Sequence, residues 1–466
     1  MNFYQTALPD RIVGTYASSS PGSGWTSVGS FPTLVGNAQA ANLPLFLLPG
    51  TYPSSQIDVA SGNPLTIGGV LGQVTIQLSG SAPYLFNVNG VNNVVIENIV
   101  FDGNNIALTD TSATAGLIKF QGSGINKFLI QDCVIYNTTQ AAISCFSNCS
   151  GEILRNTIYN CDRGVFCQDA GVNIERNNVG YCNNNGIMLW TSTQVGNTSI
   201  IINNYIHNIS SSAGGTGQYG NGINIYRATG VRVADNNIYN CAYSAIRINA
   251  GGDSVVSGNY CATSGETAIW FEAPGSGTSL TGGICANNII ESAGAGIAVA
   301  NSGLYSDGVS RRVTLIGNQI SGITSVYIPN EGKNTDGCGI TIEGSVNAIG
   351  NIIDTASNGG IIVGTNDAAN DLVVSGNLIK GTPLGIGYSA NASAAGLLIS
   401  NNEVSGYAKV SSPTGSGYSY SGAIVSVSYN GTNYVRDAPG GAANTDYGNA
   451  TQTVVGALTV GMNKAH

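Results

Sequence analysis

Three residues of unlike chemistry, Arg247, Glu272 and Tyr226, fall at outward-facing positions of successive repeats in this sequence. A guanidinium, a carboxyl and a phenol side by side can hold an anion, transfer a proton and stabilise developing charge. A second carboxyl, Glu343, follows two repeats beyond Glu272, which at strand spacing puts the pair roughly 9 to 10 Å apart. That is near the upper end for an acid and a base with a water between them, as in inverting glycoside hydrolysis. Elimination is the other chemistry open to the set: Arg247 would hold a uronate carboxylate while Tyr226 takes the C5 proton. A bland reading also stands, in which Arg247 and Glu272 form a surface ion pair beside exposed rings.

These positions follow from a repeat. Arg155-Asn156-Thr157-Ile158-Tyr159-Asn160-Cys161 recurs as Asp235-Asn236-Asn237-Ile238-Tyr239-Asn240-Cys241. Aligned on Asn, one column reads Asn98, Asp132, Asn156, Asn177, Asn204, Asn236, Asn259, Asn287, Asn318, Asn351, Asn377 and Asn402, a mean period of about 28 residues. Some nine positions later in the short repeats comes a small residue followed by an aliphatic one: Gly164-Val165, Gly186-Ile187, Ala245-Ile246, Ala268-Ile269, Gly296-Ile297 and Gly360-Ile361. Both flanks alternate apolar and polar residues, the periodicity of strands separated by Gly and Asn corners. No helical stretch separates the strands, against leucine-rich repeats, and the period is too short for propeller blades. The expectation is an all-β parallel β-helix solenoid of about 12 coils, with stacked Asn side chains bonded to one another at the corners.

If the aliphatic residue points inward, positions one and three after it point outward. The first outward column includes Asn224, Arg247 and Trp270; the second includes Gln168, Trp190, Tyr226, Asn249, Glu272 and Glu343. Asp169 and Arg227 follow at the strand ends and would line a rim. Insertions at 204–222, with Gly214 to Gly220, and at 318–339, with Tyr327, Glu331, Lys333 and Asp336, enter just before this face and would wall it. Aromatic rings on the floor and polar groups at the edge suit an extended polysaccharide, with Trp190 and Trp270 as stacking platforms. Glu266 sits in a corner, where it either holds backbone amides or takes part in the chemistry. His207 shares a column with Tyr159 and Tyr239 on another sheet and reads as part of a surface aromatic stack. Cys145 with Cys167, and Cys161 with Cys182, share columns in adjacent coils, a spacing open to disulfides and to buried free thiols alike. No metal cluster has a sequence signature, so no cofactor is expected, a Ca²⁺ site of oxygens staying open.

Composition bounds the rest. The chain has 466 residues, 65 of them Gly, is 9% charged and carries a net charge of −9. Such acidity without basic clusters argues against nucleic acid and anionic membrane surfaces as partners. No apolar run approaches the roughly 20 residues of a membrane span. Oligomeric state has no signature. Residues 31–43 form the one amphipathic helical stretch and lead into Leu43-Pro44-Leu45-Phe46-Leu47-Leu48-Pro49-Gly50-Thr51-Tyr52. The domain expectation is an N-terminal arm and cap over 1–60, the β-helix over 61–406, and a C-terminal cap or tail over 407–466.

Helix, apolar strand and Pro-Gly-x-Tyr resemble the N-terminal cap of pectate-lyase-like right-handed β-helices. Gly217-Gln218-Tyr219-Gly220-Asn221-Gly222-Ile223-Asn224-Ile225-Tyr226-Arg227, Ala242-Tyr243-Ser244-Ala245-Ile246-Arg247 and Gly265-Glu266-Thr267-Ala268 resemble the Tat-translocated right-handed β-helix repeat family. The resemblance covers roughly residues 40 to 405 and implies a right-handed coil and a periplasmic or extracellular location, although the chain starts without a twin-Arg leader. The wider superfamily implies polysaccharide lyases, glycosidases, epimerases and phage tailspikes. The Asp-Pro-His-type motif of alginate epimerases is missing. The leading expectation is a polysaccharide lyase or glycoside hydrolase, and the competing one a non-catalytic carbohydrate-binding or tailspike-like surface protein.

Overall fold

In a computed structural model of the chain, the described residues are 31–60, 62–122, 127–212, 219–273, 280–300, 312–364, 370–388, 395–407, 422–429, 434–436, 452–455 and 458–465. The N-terminal arm before residue 31, the 213–218 part of the first insertion and most of the tail after 407 lie outside them. Contacts divide the chain into two units, one of residues 1–192 with 197–209, the other of 193–196 with 210–466.

The first unit opens with the helix Phe31–Ala41, which buries Phe31, Leu34, Val35 and Ala38. Tyr52 packs its ring 5.6 Å from Phe31 and donates its hydroxyl to the Leu48 carbonyl at 2.8 Å, so the Pro-Gly-x-Tyr turn and the helix close one end together. From there each coil lays down strands on successive faces. The first face stacks seven parallel strands in chain order, from Leu45–Leu47 to Ile200–Ile202. Inside, Ile and Val of successive coils line the core, and the alternate positions face outward, as the pleat requires.

The second unit repeats the plan with eight parallel first-face strands, from Arg232–Ala234 to Leu458–Gly461. Its corners carry an unbroken ladder: Asn236, Asn259, Asn288, Asn318, Asn351, Asn377 and Asn402 each donate Nδ2 to the Oδ1 of the next, the last of them to Asn463, at 2.9 to 3.0 Å. The last rung comes from the tail. Leu458–Gly461 pairs antiparallel with Gln452–Val455, which covers the strand edge that a solenoid otherwise leaves open.

The ladder corrects three members of the sequence column. Asn98, Asp132 and Asn287 stand one residue earlier, at φ of 58°, 54° and 55°, in a left-handed corner column shared with Arg155, Asp235 and Gly258. Asn288 is the true rung, and Ile99 and Cys133 take that place in the first coils. Asn favours both roles, since it tolerates a positive φ and also bridges backbone groups. Alignment on Asn alone therefore slips by one.

Removing a rung should be costly. Asn351 Oδ1 accepts from the Asn318 amide at 3.1 Å and Asn318 Nδ2 at 2.9 Å, and its Nδ2 donates to Leu315 O at 3.0 Å. Asn351→Ala leaves these groups buried without partners, and urea unfolding should show a loss of about 3 kcal/mol. A loss under about 0.5 kcal/mol, the range of an ordinary surface substitution, would contradict a structural ladder.

Candidate functional site

Strand register brings the outward columns together as their periodicity requires. In the second unit Asn224, Arg247, Trp270, Ala298 and Thr341 lie in one row, and Tyr226, Asn249, Glu272, Ala300 and Glu343 in the next. In the first unit Phe146, Gln168 and Trp190 lie in one row with Trp190 edge-on to Phe166 at 6.4 Å. Burial differs from expectation. Arg247 is 7% exposed, Glu272 and Glu343 5% each, and Asn224 and Asn249 are buried as well.

The insertion at 318–339 supplies part of the cover. Tyr327–Ile328 and Lys333–Asn334 form an antiparallel hairpin whose tip turns through Gly332 at φ 66°. Its base is pinned to the coils: the Thr324 amide donates to Ala293 O at 3.0 Å, the Gly337 amide to Gly294 O at 3.0 Å, and Asn358 Nδ2 to Asp336 O at 2.7 Å. Between hairpin and sheet lies a cavity of about 310 Å³. Its floor is set by side-chain size. Ala298 and Ala300 stand between Trp270 on one side and Thr341 and Glu343 on the other, so the two methyls leave a hollow where neighbouring coils carry large groups. Glu266, Asp336 and Lys333 complete the wall.

Arg247, Glu272 and Tyr226 are placed unequally with respect to this cavity. Arg247 Nε donates to Glu272 Oε1 at 2.6 Å, Arg247 Nη1 lies 3.5 Å from Glu266 Oε2, and the guanidinium sits 4.7 Å over the Trp270 ring. Asn249 Nδ2 also donates to Glu272 Oε1, at 2.7 Å. Glu272 is thus held in a buried pair and does not border the cavity, whereas Glu343 does. Tyr226 is covered by the Arg227 guanidinium, 4.9 Å from its ring, and Arg227 itself takes a φ of 61° within the strand Asn221–Thr229. Asp169 ties down the neighbouring coil, its two oxygens accepting from the Ser192 amide at 2.8 Å and the Ser192 hydroxyl at 2.6 Å, while Gln168 Nε2 reaches that hydroxyl at 3.4 Å.

Glu266 is the residue that geometry brings forward. It is 3% exposed, borders the cavity, and has only Ser244 Oγ at 3.3 Å and Arg247 at 3.5 Å on Oε2, leaving Oε1 without a hydrogen-bond partner among the described residues. Burial raises its pKa to about 7; Arg247 and Lys333 pull it down, and Glu331 and Glu272 push it further up. Asp336 is likewise raised by desolvation, against a hydrogen bond from Thr341 Oγ1 at 3.2 Å and the charge of Lys333. Lys333 is tied to Glu331 at 3.0 Å. Trp270 Nε1 is buried with no partner among the described residues.

Other sequence candidates settle as structure. His207 is packed between Tyr205, 4.7 Å away, and Tyr181, 5.4 Å away, with Nε2 3.0 Å from Asn178 Oδ1, and burial lowers its pKa. All ten Cys are buried and free, with Cys161 and Cys182 sulfurs 3.5 Å apart. Among the described residues no group of three His, Cys, Asp or Glu could hold a metal ion.

Residues 72–200 match the family model described as right handed beta helix region. The fold is a right-handed parallel β-helix. This β-helix shares 12% identity and a TM-score of 0.45 with a PL6 alginate lyase in complex with a trisaccharide, over 98% of this chain and 96% of that one. The catalytic domain of a GH87 alpha-1,3-glucanase in complex with tetrasaccharides gives 13% and 0.46 over 92% and 70%. The Dettilon tailspike protein gives 14% and 0.40 over 76% of the β-helix and 64% of its own chain. Among curated proteins none shows significant sequence similarity to the β-helix. No helix of its described residues is long and apolar enough to cross a membrane.

Proposed function

We propose that the β-helix binds a polysaccharide and hydrolyses a glycosidic bond in the cavity beside Trp270. The observation that carries this reading is Glu266, a buried carboxyl bordering the cavity with a pKa raised to about 7. Such a group is half protonated near neutral pH and can deliver a proton to the glycosidic oxygen as the bond to the anomeric carbon breaks. Glu343, on the same cavity, then takes a proton from the water that attacks that carbon. Trp270, on the cavity wall, offers apolar surface to the sugar ring. Elimination is less well supported, because the guanidinium it needs is spent on Glu272 and Glu266.

Incubation with a panel of neutral, uronate and amino-sugar polysaccharides tests the proposal. New reducing ends without absorbance from unsaturated ends are expected; absorbance would show a lyase, and silence in both would leave a binding protein. Activity should fall as pH rises past about 7, where Glu266 loses its proton. A rate that keeps rising to pH 9 would remove Glu266 from the acid role.

A further inference from the structure

Two of the ten buried thiols meet across adjacent coils of the first unit. Cys161 and Cys182 are register partners on the paired strands Thr157–Gln168 and Asn178–Gly196, and their sulfurs lie 3.5 Å apart. Strands paired in this way hold facing Cα atoms about 4.8 Å apart, inside the range of about 4.4 to 6.8 Å that a disulfide spans. A bond is thus within reach of side-chain rotation. The next coil carries Ile209 in the same column, so filling this part of the core does not by itself call for sulfur.

Burial decides when such a bond can form. Cys161 is 1% exposed and Cys182 0%, so no oxidant reaches the pair once both coils are stacked. The contact with Cys182, and after it desolvation, also raises the Cys161 pKa well above that of an ordinary thiol, which makes the reactive thiolate scarce in the finished core.

We infer that Cys161 and Cys182 close to a disulfide while the second of these coils is stacking on the first, tying the two together. The inference is independent of what the cavity in the second unit binds. One thiol of the pair loses its proton and attacks a small-molecule disulfide such as oxidised glutathione, releasing one small thiol and leaving a mixed disulfide. The thiolate of its partner then attacks the protein sulfur of that mixed disulfide and releases the second small thiol. Two protein thiols give up two protons and two electrons, and the small disulfide takes them up. A mixed disulfide has no room in the closed corner, so both steps precede closure. In a reducing thiol pool the pair stays as thiols.

Refolding of the full chain from urea in a glutathione redox buffer, then acid quench, alkylation and peptide mapping, tests this. Trypsin cuts after Arg155, Arg163 and Arg176, which puts Cys161, Cys167 and Cys182 in different peptides. A peptide pair joined through Cys161 and Cys182 is expected, absent from Cys161→Ala and Cys182→Ala. The oxidised chain should melt about 5 °C or more above the same chain refolded with excess dithiothreitol, because the bond restricts the unfolded state. Protein folded in dithiothreitol and then given oxidised glutathione without denaturant should keep both thiols over the same time. If an alanine variant fails to fold, the peptide map of the native chain still decides. Recovery of Cys161 and Cys182 as alkylated thiols after oxidative refolding would overturn the inference. So would Cys161 joined to a different cysteine, equal melting temperatures of the two forms, or oxidation of the folded protein as fast as during refolding.

Discussion

Glu266→Gln should abolish turnover and, at pH 8, make the protein more stable than the native chain. The first effect follows from removing the proton donor and should reach about a thousandfold in kcat. The second follows from linkage. Burial raises the Glu266 pKa from 4.5 to about 7, so the folded state prefers the protonated form. Below about pH 4.5 the group is protonated in both states and carries no penalty. Between about 4.5 and 7 the unfolded chain ionises first, the penalty grows, and above 7 it stays constant. Two and a half pKa units correspond to about 3 kcal/mol, which glutamine would restore at pH 8 and not at pH 4. Denaturant titration of both proteins at the two pH values measures this directly. Equal stability at pH 8 would mean that Glu266 is hydrated and ordinary; full activity would mean that it is not the acid.

Arg247→Met should have the opposite character, a large loss of stability. The guanidinium answers Glu272 at 2.6 Å and Glu266 at 3.5 Å and covers Trp270, all in a region almost closed to solvent. Removing one partner of a buried ion pair costs about 4 kcal/mol because the remaining carboxylate is left uncompensated. Replacing both partners often costs little, so Arg247→Met with Glu272→Met should recover most of the loss. Thermal and urea unfolding of the three proteins decides between this account and the one the sequence first invited, in which Arg247 holds a substrate carboxylate. A single variant that melts with the native protein while its KM rises would favour the substrate role.

The difference between those two accounts shows where the sequence was legible. Period-two alternation after Ile246, Ile269, Ile297 and Ile340 was enough to place Arg247, Trp270, Glu272 and Glu343 on one face, because register in stacked coils has no freedom once the inward residue is known. The Asn corners were legible to within one residue. Burial was not. The cover over Glu343 and Ala300 comes from a hairpin in an insertion with no period, and its base is pinned by single bonds such as Asn358 to the Asp336 carbonyl. Glu266 was visible only as a carboxyl in a corner. Its significance depends on which groups surround it, and the one cue in sequence was a charged residue in a chain that is 9% charged.

The last rung of the ladder links residues far apart in the chain. Asn402 bonds to Asn463, 61 residues on, whereas the preceding rungs of that unit close after 23 to 33. Coils that stack on the one just made can form as the polypeptide emerges, each adding a local interface to a growing end. The final coil cannot, since its strand at Leu458–Gly461 must return to Leu397–Ser400 after a long excursion. Loop closure of that length is slow compared with the addition of a neighbouring repeat. During synthesis the strand Ala395–Ser400 therefore stays an open template, available to another chain, until residue 463 arrives to seal it.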